Sequence, residues 1–213
     1  MRNLYYIAIE GPIGVGKTSL ANLMSKELSA RLVREEFDEN PFLPDFYKDP
    51  ERFAFQTQLF FLLQRYRQQQ ELRQVDMFQK LLVTDYMFVK DRLFASLNLG
   101  EKEMQLYDTV ANLLERNIIN PDLVIYLQAD TDTLMKNIAL RGREMETDIT
   151  YEYIDALSQV YTEYFFRYQD TPLVIINTNN IDFVHNEDDL KEVIKYIRQP
   201  VSGTKFFNPV TEF

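Results

Sequence analysis

The residues best suited to chemistry stand early in the chain: Gly11-Pro12-Ile13-Gly14-Val15-Gly16-Lys17-Thr18, followed by Ser19. They match G-x-x-x-x-G-K-[ST], a spacing whose glycines let successive backbone N–H groups turn toward one concavity. Such a concavity holds phosphate oxygens, and a helix starting there adds the positive end of its dipole. Lys17 is then expected to reach the β- and γ-phosphates of a nucleoside triphosphate, and Thr18 to ligate Mg²⁺. Gly11, Gly14, Val15, Gly16, Lys17, Thr18 and Ser19 form the set expected to bind ATP, the phosphoryl donor. A second cationic group, Arg141-Gly142-Arg143, is followed at once by Glu144, Glu146 and Asp148. Two arginines about a glycine suit a lid whose guanidinium forks stabilise the charge of a transferring phosphoryl group. The plainer account is a helix terminus with arginines near its negative end.

These residues need elements to hold them. Leu4–Glu10 is an almost unbroken apolar run, as expected of a central strand covered on both faces. Ser19–Ala30 carries apolar residues at helical spacing, Arg31–Phe37 is a candidate second strand, and Pro41–Asp49 is irregular or briefly helical. A helix over Pro50–Gln74 precedes a third strand, Leu81–Thr84, which ends at Asp85, a single acid positioned to help hold Mg²⁺ or its water. Further helices are expected over Glu101–Asn117, Thr131–Leu140, Ile149–Tyr168 and Glu187–Arg198, with strands at Leu123–Leu127 and Leu173–Ile176. Strands alternating with helices imply an α/β fold with a five-stranded parallel sheet and helices on both faces; with the glycine-rich turn and the arginine-bearing lid added, the expectation is a P-loop kinase fold. Ligands of such sheets sit at the carboxyl ends of the strands. Residues 1–199 read as one domain, and 200–213 as an irregular tail packing through Phe206 and Phe207.

Composition narrows the class. The 213 residues are 46% apolar and carry a net charge of −10, which argues against a nucleic-acid polymer as partner. With no cysteine and one histidine, neither a disulfide framework nor a thiolate metal site is expected. No apolar run approaches the ~18–20 residues of a membrane span, and no secretory signal is read at the amino terminus; the expectation is a cytoplasmic chain without a membrane partner. A GTPase would show D-x-x-G and N-K-x-D elements, whereas Asn177-Thr178-Asn179-Asn180 lacks the lysine and the aspartate.

With these motifs in this order, the chain resembles the deoxynucleoside kinase family, which includes deoxycytidine, deoxyguanosine and bacterial deoxyadenosine kinases. The resemblance runs from Tyr6 to about Asn177. It implies phosphorylation of a deoxynucleoside 5′-hydroxyl, with Glu35 as general base and Glu36 as the alternative, since Glu35-Glu36-Phe37 departs from the family's E-P-V. It implies catalytic roles for Lys17, Arg141 and Arg143. Tyr47, Gln58 and Arg65 reproduce the family's spacing of a tyrosine beside the sugar 3′-hydroxyl, then a glutamine, then an arginine. Gln58 and Arg65, seven apart on one helix, share a face, and a planar amide both donates to and accepts from a base edge. Asp85 and Asp91 match the family's acid after the third strand and its base-contacting aspartate, and Glu146 its second contact to the sugar hydroxyl. Tyr86 stands where the family has an arginine that organises the substrate 5′ end; Arg92 or Lys90 is left to supply that charge. Asn137 replaces a further helix arginine.

A nucleoside monophosphate kinase would need basic residues for the acceptor phosphate, but Glu35, Glu36, Asp38, Glu39 and Asp45 precede Lys48 in the relevant segment. A non-catalytic nucleotide switch and a kinase of another small alcohol are the other readings. Glu39-Asn40-Pro41 resembles bacterial deoxyadenosine and deoxyguanosine kinases and favours a purine, while pocket width is assigned to Phe60, Phe61, Met87 and Phe88. The family further implies a homodimer built through helices beside the sheet.

Overall fold

The structure is a computed structural model that describes residues 6–73 and 81–208, with the side chains of Asp38 and Arg73 left aside. Leu4 and Tyr5 of the first expected strand, Gln74 of the long helix and 209–213 of the expected tail lie outside the described residues. The first strand, β1 (Tyr6–Glu10), is flanked by β3 (Leu82–Thr84) and β4 (Leu123–Gln128). Beyond them lie β2 (Arg31–Val33) on one side and β5 (Leu173–Asn177) and β6 (Thr204–Phe207) on the other. Every pairing is parallel.

The sheet therefore has six strands where five are expected. The sixth comes from the segment read as an irregular tail. Pro200 and Gly203 obscure it in sequence, and an edge strand needs only one row of backbone partners: Leu173 to Ile176 pair with Thr204 to Phe207. Phe207 packs against Tyr196 with tilted rings, their centres 4.7 Å apart, while Phe206 is 69% exposed, the alternation of a half-covered edge.

Among the described residues, eight α-helices accompany the sheet: α1 (Lys17–Glu27), α2 (Leu43–Lys48), α3 (Pro50–Arg73), α4 (Lys90–Asn98), α5 (Glu101–Glu115), α6 (Thr131–Arg141), α7 (Tyr151–Arg167) and α8 (Glu187–Ile197). In β1, Ile7 and Ile9 join a core with Leu20 and Met24 of α1, Leu134 and Ile138 of α6 and Val193 of α8. Tyr6 and Ala8 join the opposite core with Leu93 of α4 and Leu157, Tyr161 and Phe165 of α7. Both faces of the strand are covered, which is why its sequence is apolar without alternation. Helix α4 has no counterpart in the sequence reading. It is nine residues long and buries Lys90 and Asp91 in its first turn ahead of Leu93, Phe94 and Leu97, so only its second half shows an apolar stripe. With β3 and β4 on either side of β1, the loops leaving these strands open a crevice at their carboxyl ends.

Candidate active site

At the centre of that crevice the chain turns from β1 into α1. Gly14 adopts φ 85° and Gly16 φ 98°, a region costly for residues with a Cβ. A Cβ on Gly14 would also come within 2.6 Å of the Leu134 carbonyl oxygen. The Lys17 ammonium folds back over the loop, donating to the carbonyls of Gly11 (2.7 Å) and Pro12 (2.9 Å). Burial, and then the Lys90 charge, push it down to about 8. The Asn137 amide donates to the Gly14 carbonyl at 2.9 Å, so the residue standing in for a family arginine braces the loop from α6.

Asp85, just beyond β3, ties two further strand ends to this turn. Its Oδ2 accepts from the Thr18 hydroxyl at 2.6 Å and its Oδ1 from the Glu35 backbone N–H at 2.7 Å. Glu35 follows β2 with its carboxylate turned inward, whereas Glu36 is exposed. One Glu35 oxygen accepts from Arg65 Nη2 at 2.7 Å and the other from the Lys90 ammonium. Arg65 also donates through Nε to Asp91 at 2.7 Å and lies 4.8 Å from the centre of the Tyr86 ring. Burial pushes the Glu35 carboxyl up, but Lys90 and Arg65 outweigh it and hold the group well below the usual carboxylate range. Asp91 accepts from Arg65, and there burial prevails, pushing it up to about 6.

Lys90 and Arg92, both open as replacements for the arginine absent at 86, part company. Lys90 reaches Glu35. Arg92 points toward α5, where it meets Asp108 at 3.5 Å and Glu115 at 3.3 Å.

Across the crevice, Arg141 places its fork on the buried Glu146, with Nη2 2.6 and 2.5 Å from the two oxygens. Arg143 approaches Glu146 at 3.3 Å and lies 3.9 Å over the Phe37 ring. Tyr47 sits close enough to Glu146 and Arg141 to feel their charge, and burial pushes its phenol up.

Together these groups line one cleft of about 1010 Å³ that contains Gly14 to Ser19, Glu35, Tyr47, Gln58, Arg65, Asp85, Asp91, Arg141, Arg143 and Glu146. Of the residues singled out in sequence, Gly11 stands apart: it lies behind the loop, where an added Cβ would come 2.5 Å from the Leu127 carbonyl oxygen. The width assignments are revised. Phe61 lines the cleft, but Met87 and Phe88 belong to apolar cores and Phe60 pairs edge-on with Phe42. Leu43, Phe46, Phe94 and Tyr153 line the cleft instead. Sequence reading also missed the loop after β5, where Phe183 packs against Gly16 and Ile181 to His185 close the side of the cleft beyond the glycine-rich turn. An aromatic residue following a strand end was its one signal.

The residues present suit a magnesium nucleotide. Without side chains, Gly14 and Gly16 let the turn pack close to the Leu134 carbonyl and Phe183, and Thr18 and Asp85 offer two hard oxygen donors beside it. Among the described residues no group of three or more His, Asp or Glu stands ready to hold a metal. That suits an ion carried largely by phosphate oxygens.

A parallel α/β sheet with a cationic, carboxylate-bearing cleft at its strand ends is the architecture of small-molecule phosphotransferases. The sequence pattern of the deoxynucleoside kinase family matches residues 7–202. Deoxyguanosine kinase of Bacillus subtilis is 30% identical over 206 residues, covering 93% of this chain and 99% of its own. Deoxyadenosine kinase of Lactobacillus acidophilus is 34% identical over 205 residues, covering 90% and 94%. Among solved structures, deoxyadenosine kinase from M. mycoides with bound dCTP superposes with a TM-score of 0.76 at 26% identity, covering 90% of this chain and 98% of that one. The chain belongs to the deoxynucleoside kinase family and is a kinase.

Proposed function

We propose that this enzyme transfers the γ-phosphoryl group of ATP to the 5′-hydroxyl of a purine deoxynucleoside. The observation that carries the reading is one cleft holding the glycine-rich turn with Lys17 at one wall and the Glu35, Arg65, Asp91 cluster at another. Glu35 receives the hydroxyl proton as the bond from the 5′-oxygen to the γ-phosphorus forms. The bond from that phosphorus to the β,γ-bridging oxygen breaks, and its electron pair leaves with ADP. Thr18 and Asp85 would hold the magnesium ion, which when bound neutralises charge on the phosphate oxygens. Lys17 exchanges its loop carbonyls for the β- and γ-phosphates. Arg141 and Arg143 close over the donor, and Arg141 must then share or leave the Glu146 carboxylate it now grips.

On the acceptor side, Tyr47 and Glu146 face the sugar 3′-hydroxyl while Gln58, Arg65 and Asp91 read the base. The purine preference draws on the relatives named for deoxyguanosine and deoxyadenosine. The test is ADP release with ATP and Mg²⁺ on the four deoxynucleosides, with dAMP and dTMP alongside. Turnover greatest with deoxyadenosine or deoxyguanosine supports the reading; turnover on a monophosphate alone sinks it. We further infer a homodimer, because α3 and α5 leave Leu63, Leu106 and Leu113 exposed beside the sheet.

A further inference from the structure

Lys90 is poorly explained as a structural lysine. It opens α4, at the positive end of a helix where a cation is disfavoured, and its side chain is 9% exposed. Its ammonium lies 5.6 Å from the centre of the Phe94 ring and donates to Glu35 Oε2. The other cation on Glu35 is differently placed. Arg65 is braced a second time by Asp91 at 2.7 Å and stacked on Tyr86 at 4.8 Å. The two donors to Glu35 are thus unequal: Arg65 is held in its plane by neighbours, whereas Lys90 swings on a flexible four-carbon stem. A hydroxyl that hands its proton to Glu35 needs a carboxylate oxygen, and Oε2 is the one whose present donor can leave.

We propose that Lys90 is a cation parked on Glu35 in the empty site, that the acceptor hydroxyl displaces it from Oε2, and that the freed ammonium moves onto the oxygens of the phosphoryl group in transfer. This rests on the assignment of Glu35 as acceptor of the 5′-hydroxyl proton. Lys90 lines the same cleft as Lys17 and Thr18, so the movement stays inside the site. It keeps its three protons throughout: the hydroxyl proton ends on Glu35, the new bond joins the 5′-oxygen to phosphorus, and the bridging electrons leave with ADP. Entry of the acceptor thereby delivers positive charge when charge gathers on the equatorial oxygens, the moment at which it accelerates the step.

The test compares wild type, Lys90→Met and Lys90→Arg on a deoxynucleoside that the wild type phosphorylates. Lys90→Met is expected to lower kcat on the order of 10²-fold, the scale of one lost stabiliser of transition-state charge. Its affinity for ADP with Mg²⁺ should change little. Its affinity for the nucleoside should be tighter, since the hydroxyl no longer competes for Oε2, a gain that a merely structural lysine would not produce. Lys90→Arg should recover much of kcat.

A second measurement needs no variant to fold stably. In wild type carrying ¹⁵N-labelled lysine, the Lys90 side-chain resonance should move when the nucleoside is added without ATP. An active wild type whose Lys90 resonance stays put, or a folded Lys90→Met with kcat within a few-fold of wild type, overturns this proposal alone. A wild type inactive on all four deoxynucleosides overturns the acceptor assignment itself, and this proposal with it.

Discussion

Two buried carboxylates share one arginine, and their environments push them in opposite directions. Glu35, with a second cation on it, stays ionised. Asp91, bonded to Arg65, is pushed up to about 6. Replacing Glu35 by Gln keeps size and polarity but removes the proton acceptor. Steady-state kinetics should show kcat falling by roughly 10²–10⁴ with nucleoside affinity little changed, the usual worth of a positioned base. Glu36→Gln should stay near wild type, because Glu36 is exposed outside the cleft. Equal damage to both would remove the general-base role from 35. On the proposed function, Lys17→Ala should fold normally yet lose orders of magnitude in turnover, since it removes the ammonium assigned to the β- and γ-phosphates; unchanged kcat refutes that.

For Asp91 the consequence is a pH dependence of stability. Its folded value lies above the ordinary 3.8, so between about pH 4 and 6 the folded chain binds a proton the unfolded chain does not. That contribution is fully present below the unfolded value and is lost as pH rises through about 6. Asp91→Asn should therefore gain on wild type, on the order of 2 kcal/mol, between pH 4 and 7 in urea titrations. A constant difference across that range would show that Arg65 holds Asp91 ionised throughout.

Between elements, the joint that sets the cleft is the end of β1. Glu10, fully buried, accepts from the Gly11 N–H at 3.0 Å, the Met87 N–H at 2.8 Å and the Tyr161 hydroxyl at 3.1 Å. It thereby fixes the glycine-rich turn to the segment carrying Lys90 and Asp91 and to α7. Gln in its place has one accepting oxygen and presses an amide N–H₂ toward backbone donors. Glu10→Gln should lose about 2–3 kcal/mol in urea unfolding and raise KM for both substrates, because both walls of the cleft hang on this carboxylate. Wild-type stability in the variant would mean that the three donors find other partners. At the same level, α3 holds Gln58 and Arg65 seven residues apart on one face, both buried against the cleft at 2% and 3% exposure, where a surface polar stripe would be open to water.

For the whole molecule, the question is what covers the outer helices. On α5, Tyr107 and Ala111 face inward, while Leu106 and Leu113, seven residues apart on one side, are 55% and 60% exposed. Leu63 of neighbouring α3 is 42% exposed. A second copy burying this face explains leucines where charged residues would serve a lone helix better. Light scattering at micromolar concentration should give twice 25.3 kDa, and Leu106→Glu with Leu113→Glu should give the single mass. A wild-type monomer removes the inference. Within the described residues no helix is long and apolar enough to cross a membrane.

Sequence alone was enough for whatever depends on local spacing. The turn from Gly11 to Thr18 is legible because glycines at that spacing, with a lysine and a hydroxyl behind an apolar run, mark a tight passage from strand to helix. The apolar runs of β1, β4 and β5 are legible because strands covered on both faces stay apolar until their carboxyl ends, where Glu10, Gln128 and Asn177 stand. Gln58 and Arg65 could be paired because seven residues return a helix to the same face. Tertiary structure decided whatever depends on what lies opposite. It separated Lys90 from Arg92, two residues apart in one helix but facing Glu35 and α5 respectively. It separated Glu35 from Glu36, identical in type, by the direction β2 gives each. It revealed α4, whose first turn brings Lys90 and Asp91 into the cleft before Leu93 and Ala95 enter apolar cores, and β6, whose pairing rests on backbone groups that every residue carries. Charge partners and edge pairings are relations across space, and a side chain's type does not say what it will meet.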